Sequence, residues 1–384
     1  MIEIVPVDGL MRFLTFCRLP RVLYKGLPGF KAALDVERWT FYGKYFNPHF
    51  KLVDSQTWLA RRDGQWVGRI YAHVYHEDFT PNGASRGQFG CLDAIEDQAV
   101  VDALLETAEN WLRQRGMVKI HGPFSPSINA ECGLLIQGFS IEPTFMVPWH
   151  PPYLQRLVEA RDYHKARDLL SYCYTTPELA DIDKTSVSDH PDWRDRLRIR
   201  PLDVKNIRSE IAIFVDIFND AWAENWGFVP LTLEELMTNA TALKYVIPPE
   251  GGFVIELDGK PQAFGLILLN LYELVENFDG RLLPTNFLKL IWRMRRHTFK
   301  SARTALFGMR RALHRKATGG AVMLAFLEEI RKRGQITKLR EVECGWVLEE
   351  NRAMRRMIEM IGGRVGKIHR IYEKDLQPPQ SLIP

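Results

Sequence analysis

No apolar run in this chain of 384 residues comes near the ~20 needed to cross a bilayer; the longest, such as FGLILL at 264–269, are far shorter. Cysteine is scarce and unpatterned. The five residues Cys17, Cys91, Cys132, Cys173 and Cys344 are odd in number, and none forms a CxxC or a Cys/His metal spacing. That excludes a disulfide framework and a structural metal site, so reduced thiols in a cytosolic protein are expected, most of them buried as small hydrophobes. The opening MIEIVPVDG lacks a basic-then-apolar leader, so no secretion signal is expected. A composition of 46% hydrophobic and 26% charged residues carries neither a disordered nor a collagen-like bias, and the length allows two ordinary domains.

Acid is missing from one place in particular. Between Arg281 and Lys316 stand eleven Lys or Arg residues and no Asp or Glu; with a net charge of +4 overall, this segment holds +11 and the remainder −7. Such asymmetry implies an anionic partner at that segment rather than general nucleic-acid binding.

What is present is a plan written twice. TWLARRDGQWVGRIYAHVY (57–75) is two strand-like runs joined at Asp63-Gly64, and GGFVIELDGKPQAFGLILLNLY (251–272) repeats it around Asp258-Gly259. Asp-Gly supplies the positive φ of a tight hairpin. Each half then offers an amphipathic helix ending in Arg-Gly. Val101, Leu104, Leu105, Ala108, Trp111 and Leu112 share a face before Arg115-Gly116; Val322, Met323, Phe326, Leu327 and Ile330 do so before Arg333-Gly334. A glycine there suits a left-handed C′ position. A strand follows each, in MVKIHGPF and in KLREVECGWVL. The expected architecture is two α/β domains of related plan, 1–176 and 195–384, joined by a polar linker at 177–194, with an insertion of basic amphipathic character at 281–316.

The second half contains KATGGAV, from Lys316, opening a helix after the plausible strand ARTALFGMR. The first turn of a helix leaves N–H groups unpaired and carries partial positive charge, and small residues let a bulky anion such as a pyrophosphate approach. Lys316, Arg315 and Arg311 would add Coulomb attraction. The other reading of a Gly-Gly pair is a tight surface turn.

These residues resemble the GNAT acyltransferases, which bind coenzyme A through a [Q/R]-x-x-G-x-[G/A] turn. The matching positions are Lys316, Ala317, Thr318, Gly319, Gly320 and Ala321, with Lys in place of Gln or Arg. NRAMRRMIEMIGGR resembles a GNAT helix that opens at Asn351 and ends in a turn at Gly362; its usual tyrosine is Ile358 here. FNPHF, DGQWVGRIYAH, GPFSPSINAECGLLIQGF and ENRAMRRMIEMIGGRVGKIHRIYEK together resemble a tandem-GNAT bacterial group that includes bacterial ceramide synthases, over about Phe13 to Lys374. The fold implied is α/β, two tandem GNAT-like domains, each a mixed central sheet flanked by helices, with the N-terminal one degenerate. The activity implied is N-acyl transfer from acyl-CoA to an amine without a metal. Acyl-CoA is then the donor, coenzyme A its carrier, and the acceptor either a lipid-like amine such as a sphingoid base or a small amine taking acetyl.

Attack of an amine on a thioester needs a base, a polarised carbonyl and a route for protonating sulfur. In REVECGWVL, alternation puts Glu341, Glu343 and Gly345 on one side, and Glu343, nearest the middle, is the expected base unless it is a surface ion-pair residue. Glu349 and Glu350 are runners-up. Tyr372 is the nearest plausible acid, unless it is a core tyrosine with a satisfied hydroxyl. The first half lacks the glycines and carries Asp93, Glu96 and Asp97 ahead of its helix, where they would repel a pyrophosphate. Its Ser125, Ser127 and Asn129 could read an acceptor headgroup, or belong to an ordinary Pro-rich loop. The basic segment could lie on an anionic membrane surface, cover an acyl tunnel, or pack between domains with its charges in solvent. A cytoplasmic location, peripheral on the inner face of the membrane, follows from the first of these. A non-catalytic sensor of acyl-CoA or lipid is the reading from another class.

Overall fold

The computed structural model describes residues 1–77, 85–175, 187, 190–237, 251–336 and 339–376. Most of the expected linker at 177–194 lies outside the described residues. The chain divides into two compact units, Met1–Leu169 with Leu274–Arg296 and Lys367–Pro384, and Leu170–Glu273 with His297–Gly366. Neither unit is one continuous stretch, and the basic segment is divided after Arg296.

In chain order the strands are β1 (Ile2–Pro6), β2 (Val53–Arg62), β3 (Gln65–Tyr75), β4 (Arg86–Ala94), β5 (Lys119–Gly122), β6 (Phe124–Ser125), β7 (Glu131–Cys132), β8 (Leu134–Gln137), β9 (His164–Thr175), β10 (Leu197–Pro201), β11 (Gly252–Leu257), β12 (Lys260–Leu269), β13 (Ser301–Met309), β14 (Glu341–Leu348) and β15 (Arg364–Asp375). The principal helices are α1 (Gly9–Leu23), α2 (Asp35–Tyr42), α3 (Gln98–Arg113), α4 (Tyr153–Glu159), α5 (Ile207–Trp222), α6 (Asn286–Arg296), α7 (Ala317–Ile336) and α8 (Arg352–Met360). Among the described residues no helix is long and apolar enough to cross a membrane.

In the first unit β1, β2, β3 and β4 form an antiparallel meander, and α3 carries the chain over to β5, which runs parallel to β4. The turn between β2 and β3 is Asp63-Gly64, with φ of 49° and 80°, which is the backbone a two-residue hairpin of matching twist demands. The expected face of α3 is the buried one: Val101, Leu104, Leu105, Ala108 and Leu112 are fully buried against Ile70, Phe89 and Ile120. Each such Val or Leu contributes about 1.5–3 kcal/mol on leaving water.

The second unit repeats this order. β10, β11, β12 and β13 form an antiparallel meander, α7 crosses over, and β14 runs parallel to β13, with β9 on its other side. Asp258-Gly259 turns β11 into β12 with φ of 53° and 73°. One expectation fails. Gly334 does not end α7, which continues to Ile336. Glycine costs a helix interior only about 1 kcal/mol, and Val322, Ala325, Phe326 and Ile330 anchor the helix on its buried face.

Candidate active site

In the second unit the parallel ladder between β13 and β14 pairs Ser301 with Glu341, Ala302 with Val342, Arg303 with Glu343 and Thr304 with Cys344, and there it stops. Both strands run on, to Met309 and Leu348. A side chain holds them where backbone pairing ends: buried Arg303 donates from Nε (3.1 Å) and Nη2 (2.9 Å) to the Gly345 carbonyl. Beyond that point an open cleft begins, walled by Thr304, Ala305 and Phe307 on β13 and by Cys344 through Leu348 on β14. α7 adds Phe326 and Ile330, α8 adds Met354 and Ile358, and α5 adds Trp222. Aromatic contacts stiffen this wall, with Phe307 and Phe326 ring centroids 3.9 Å apart and Trp222 set edge-on to Trp346 at 5.8 Å. No carboxylate lines the cleft among the described residues.

The helix that walls the cleft opens in KATGGAV, as expected. α7 begins at Ala317. The Lys316 amide donates to the Leu313 carbonyl (3.2 Å), and the Gly320 amide closes the first helical bond on the Lys316 carbonyl (3.1 Å). The amides of Ala317, Thr318 and Gly319 therefore have no acceptor within the helix. Gly319 is required by packing, since a Cβ there would stand 2.1 Å from the Leu313 carbonyl oxygen, whereas Gly320 faces open space. Ala321 is buried. Lys316 and Arg315 are exposed, without an ion pair among the described residues. Arg311 is not available as expected. Its amide donates to Asp220 (2.9 Å) and its Nη1 to Glu224 (2.7 Å), while Arg310 pairs with Asp216. Acids distant in sequence thus neutralise part of the basic segment. The turn does not itself line the cleft; α7 reaches it from Phe326 onward.

The other expected site residues are distributed as follows. Asn351 lines the cleft, but its side-chain oxygen accepts from the Met354 amide (3.2 Å) and caps α8. Glu343 is 3% exposed and is not part of the cleft wall. Glu349 and Glu350 lie between Leu348 and Asn351, which both line the cleft. Tyr372 belongs to the core of the first unit, where its hydroxyl donates to Glu159 (2.8 Å) and burial, with that carboxylate, pushes its pKa up. A phenol so engaged does not serve a cleft it does not line. Ser125, Ser127 and Asn129 are also in the first unit: the Ser125 hydroxyl accepts from the Cys91 amide (2.8 Å), Ser127 is buried, and Asn129 is half-buried. Tyr174, which sequence reasoning missed, lies beside the cleft wall; its neighbours are distant in sequence, so no local pattern marks it.

An antiparallel meander, a crossover helix with open N-terminal amides, and a parallel strand that parts from the meander over a cleft define the GNAT fold, and the meander and crossover occur twice. Among solved structures, the tandem GNAT protein of the clavulanic acid biosynthesis pathway matches 99% of this chain and 100% of its own, with a TM-score of 0.59 at 13% identity. A GCN5-related N-acetyltransferase from Sphaerobacter thermophilus matches 98% of this chain and 96% of its own, with a TM-score of 0.53 at 14% identity. No family model matches the chain. It is 34% identical over 383 residues to protein YghO of Escherichia coli, and 34% identical over 379 residues to the bacterial ceramide synthase of Caulobacter vibrioides, in each case over 98% of both chains. The chain belongs to the tandem-GNAT family of these two proteins.

Proposed function

We propose that this protein is an acyl-CoA-dependent N-acyltransferase that joins a long acyl chain to a lipid-like amine, such as a sphingoid base. The observation that carries the reading is the cleft at the parting of β13 and β14, which is walled by Trp222, Phe307, Phe326, Ile330 and Ile358. An acetyl group gains little from so apolar a lining; an alkyl chain gains from it in proportion to the area it buries. The ceramide synthase relative, at 34% identity, supports the lipid acceptor.

In this reading the amides of Ala317, Thr318 and Gly319 take the diphosphate, with Arg315 and Lys316 beside it. The amine attacks the thioester directly. Cys344 stands in the cleft wall, but burial pushes its thiol up to about 12, and a thiol is a poor nucleophile compared with a thiolate. The nitrogen's proton goes to Glu349 or Glu350 through water, in place of Glu343. Ser125, Ser127 and Asn129 are assigned to the acceptor headgroup, with the Ser125 hydroxyl also accepting from the Cys91 amide.

The test is thiol release by the purified protein from acyl-CoAs of graded length, with sphingoid and polyamine acceptors. Release that rises with chain length and requires the lipid amine is expected. Release from acetyl-CoA alone would move the reading to a small-amine acetyltransferase; binding without release on any amine would make the protein a sensor.

The membrane contact rests on α6. None of its residues is buried; Leu288 and Trp292 are 69% and 58% exposed, and Leu283 just before it is 74% exposed. Arg293 is fixed to the Leu274 (2.7 Å) and Glu276 (2.8 Å) carbonyls, whereas Lys289, Arg295 and Arg296 have no acidic partner among the described residues. Exposed apolar side chains beside cations that no acid neutralises suit an anionic bilayer, each cation contributing about 1 kcal/mol. Binding to anionic vesicles should weaken with salt, and Arg295→Gln with Arg296→Gln should weaken it roughly thirtyfold. Equal binding to neutral vesicles would remove the electrostatic part.

A further inference from the structure

Transfer to an amine leaves a sulfur that must be protonated, and α8 presents Ile358 to the cleft, a side chain with no proton to give. The search for a donor leads to β9. Tyr174 is 3% exposed, and its hydroxyl has no hydrogen-bond partner; the hydroxyl of buried Thr304 has none either. A buried hydroxyl left unmatched costs roughly 1–3 kcal/mol, so two of them side by side call for a reason. They are neighbours: the Thr304 hydroxyl and the Cys344 thiol lie within hydrogen-bonding reach of the Tyr174 phenol, although neither the Tyr174 nor the Thr304 oxygen reaches full hydrogen-bond geometry. Thr304 and Cys344 are the last pair of the ladder, and both line the cleft. The unmatched pair thus stands where the strands part, with Thr304 at the cleft surface and Tyr174 behind it.

We infer that Tyr174 and Thr304 form a proton relay into the cleft, in which Thr304 protonates the departing sulfur and is reprotonated by Tyr174. This rests on the acyl-transfer reading. As the C–N bond forms, the C–S bond breaks and its electron pair passes to sulfur. Sulfur takes the Thr304 hydroxyl proton, Thr304 takes the phenol's, and the phenolate recovers through water, by way of Glu349 or Glu350, the proton shed by nitrogen. No other reactant is consumed. Burial pushes the phenol's pKa well up, so Tyr174 holds its proton at neutral pH until a neighbour demands it. The open geometry is expected before substrate binds, since proton-transfer contacts tighten in the reacting complex.

Tyr174→Phe and Thr304→Val, made in the full chain, test the relay by three readouts: turnover of the best acyl-CoA and amine pair, the acyl-CoA dissociation constant, and the melting temperature. Each variant should lose about a hundredfold in kcat, with acyl-CoA affinity within about threefold. The double variant should be little worse than either alone, as for groups that act in series, and Thr304→Ser should keep most of the activity. The melting temperature should hold or rise, because each change removes an unmatched hydroxyl. A structural role predicts the reverse, a lower melting temperature with kcat kept. Wild-type transfer with Tyr174→Phe within about twofold of it, or a variant that folds poorly, overturns the relay alone. Wild-type protein that releases no thiol overturns the acyltransferase reading, and the relay with it.

Discussion

Gly319→Val is expected to weaken acyl-CoA binding more than about a hundredfold, while Gly320→Ala leaves it within a few-fold of wild type. The two glycines are adjacent, and their surroundings are opposite. A Cβ on Gly319 would stand 2.1 Å from the Leu313 carbonyl oxygen, the same oxygen that accepts from the Lys316 amide. It is backbone and cannot swing aside, so the turn that aims the Ala317, Thr318 and Gly319 amides has to open. A Cβ on Gly320 meets nothing within 4 Å, and alanine there should stabilise α7 by about 1 kcal/mol. Gly320→Asp separates charge from shape. A carboxylate in the first turn stabilises a helix by about 0.3–1 kcal/mol, yet it would repel a diphosphate on the same amides. The melting temperature should hold or rise while coenzyme A affinity, measured by calorimetry, falls about tenfold. If affinity is unchanged in Gly319→Val and Gly320→Asp alike, the diphosphate does not sit there.

The hairpins and crossover helices were legible because their signals are local. Asp63-Gly64 and Asp258-Gly259 fix φ within two residues, and the apolar stripe of α3 is read within a few turns. Gly334 misled because a glycine's preference is small beside the burial of Phe326 and Ile330 on the same helix. Strand alternation favours Glu343, but the cleft takes the five consecutive residues Cys344 to Leu348 of β14 and leaves Glu343 out, so alternation does not mark its lining. The surplus of charge at 281–316 was real in composition and partly cancelled in space. Asp216, Asp220 and Glu224, on and just after α5, meet Arg310 and Arg311 only in the folded chain. The Tyr174–Thr304–Cys344 cluster joins three strands and has no sequence signal at all.

Asp93→Ala should cost the first unit about 3–5 kcal/mol, the largest stability change expected of any substitution considered for it. The sequence places Asp93 ahead of α3 with Glu96 and Asp97, as a carboxylate that would repel a diphosphate. Its role in the fold is different. Asp93 is buried and accepts from Arg69 Nε (2.7 Å), whose Nη1 donates to the Phe16 carbonyl (2.7 Å). Burial works against the guanidinium's charge, and Asp93 holds its pKa up in spite of it. Removing the acid alone leaves a buried cation without its counter-charge. Asp97 does the capping instead: it accepts from the Val100 amide (3.2 Å), and Arg62, donating to it at 2.9 Å, holds its carboxyl below the usual range. A carboxylate therefore occupies the N-terminus of α3, whereas the first amides of α7 in the second unit have no acceptor within their helix. Urea unfolding should show the loss for Asp93→Ala, and Asp93→Leu combined with Arg69→Met should restore most of it, because a buried ion pair replaced by apolar side chains is often neutral. Coenzyme A affinity should not change in either variant. If Asp93→Ala weakened it, the first unit would hold part of the donor site, and the division of labour between the two halves would have to be redrawn.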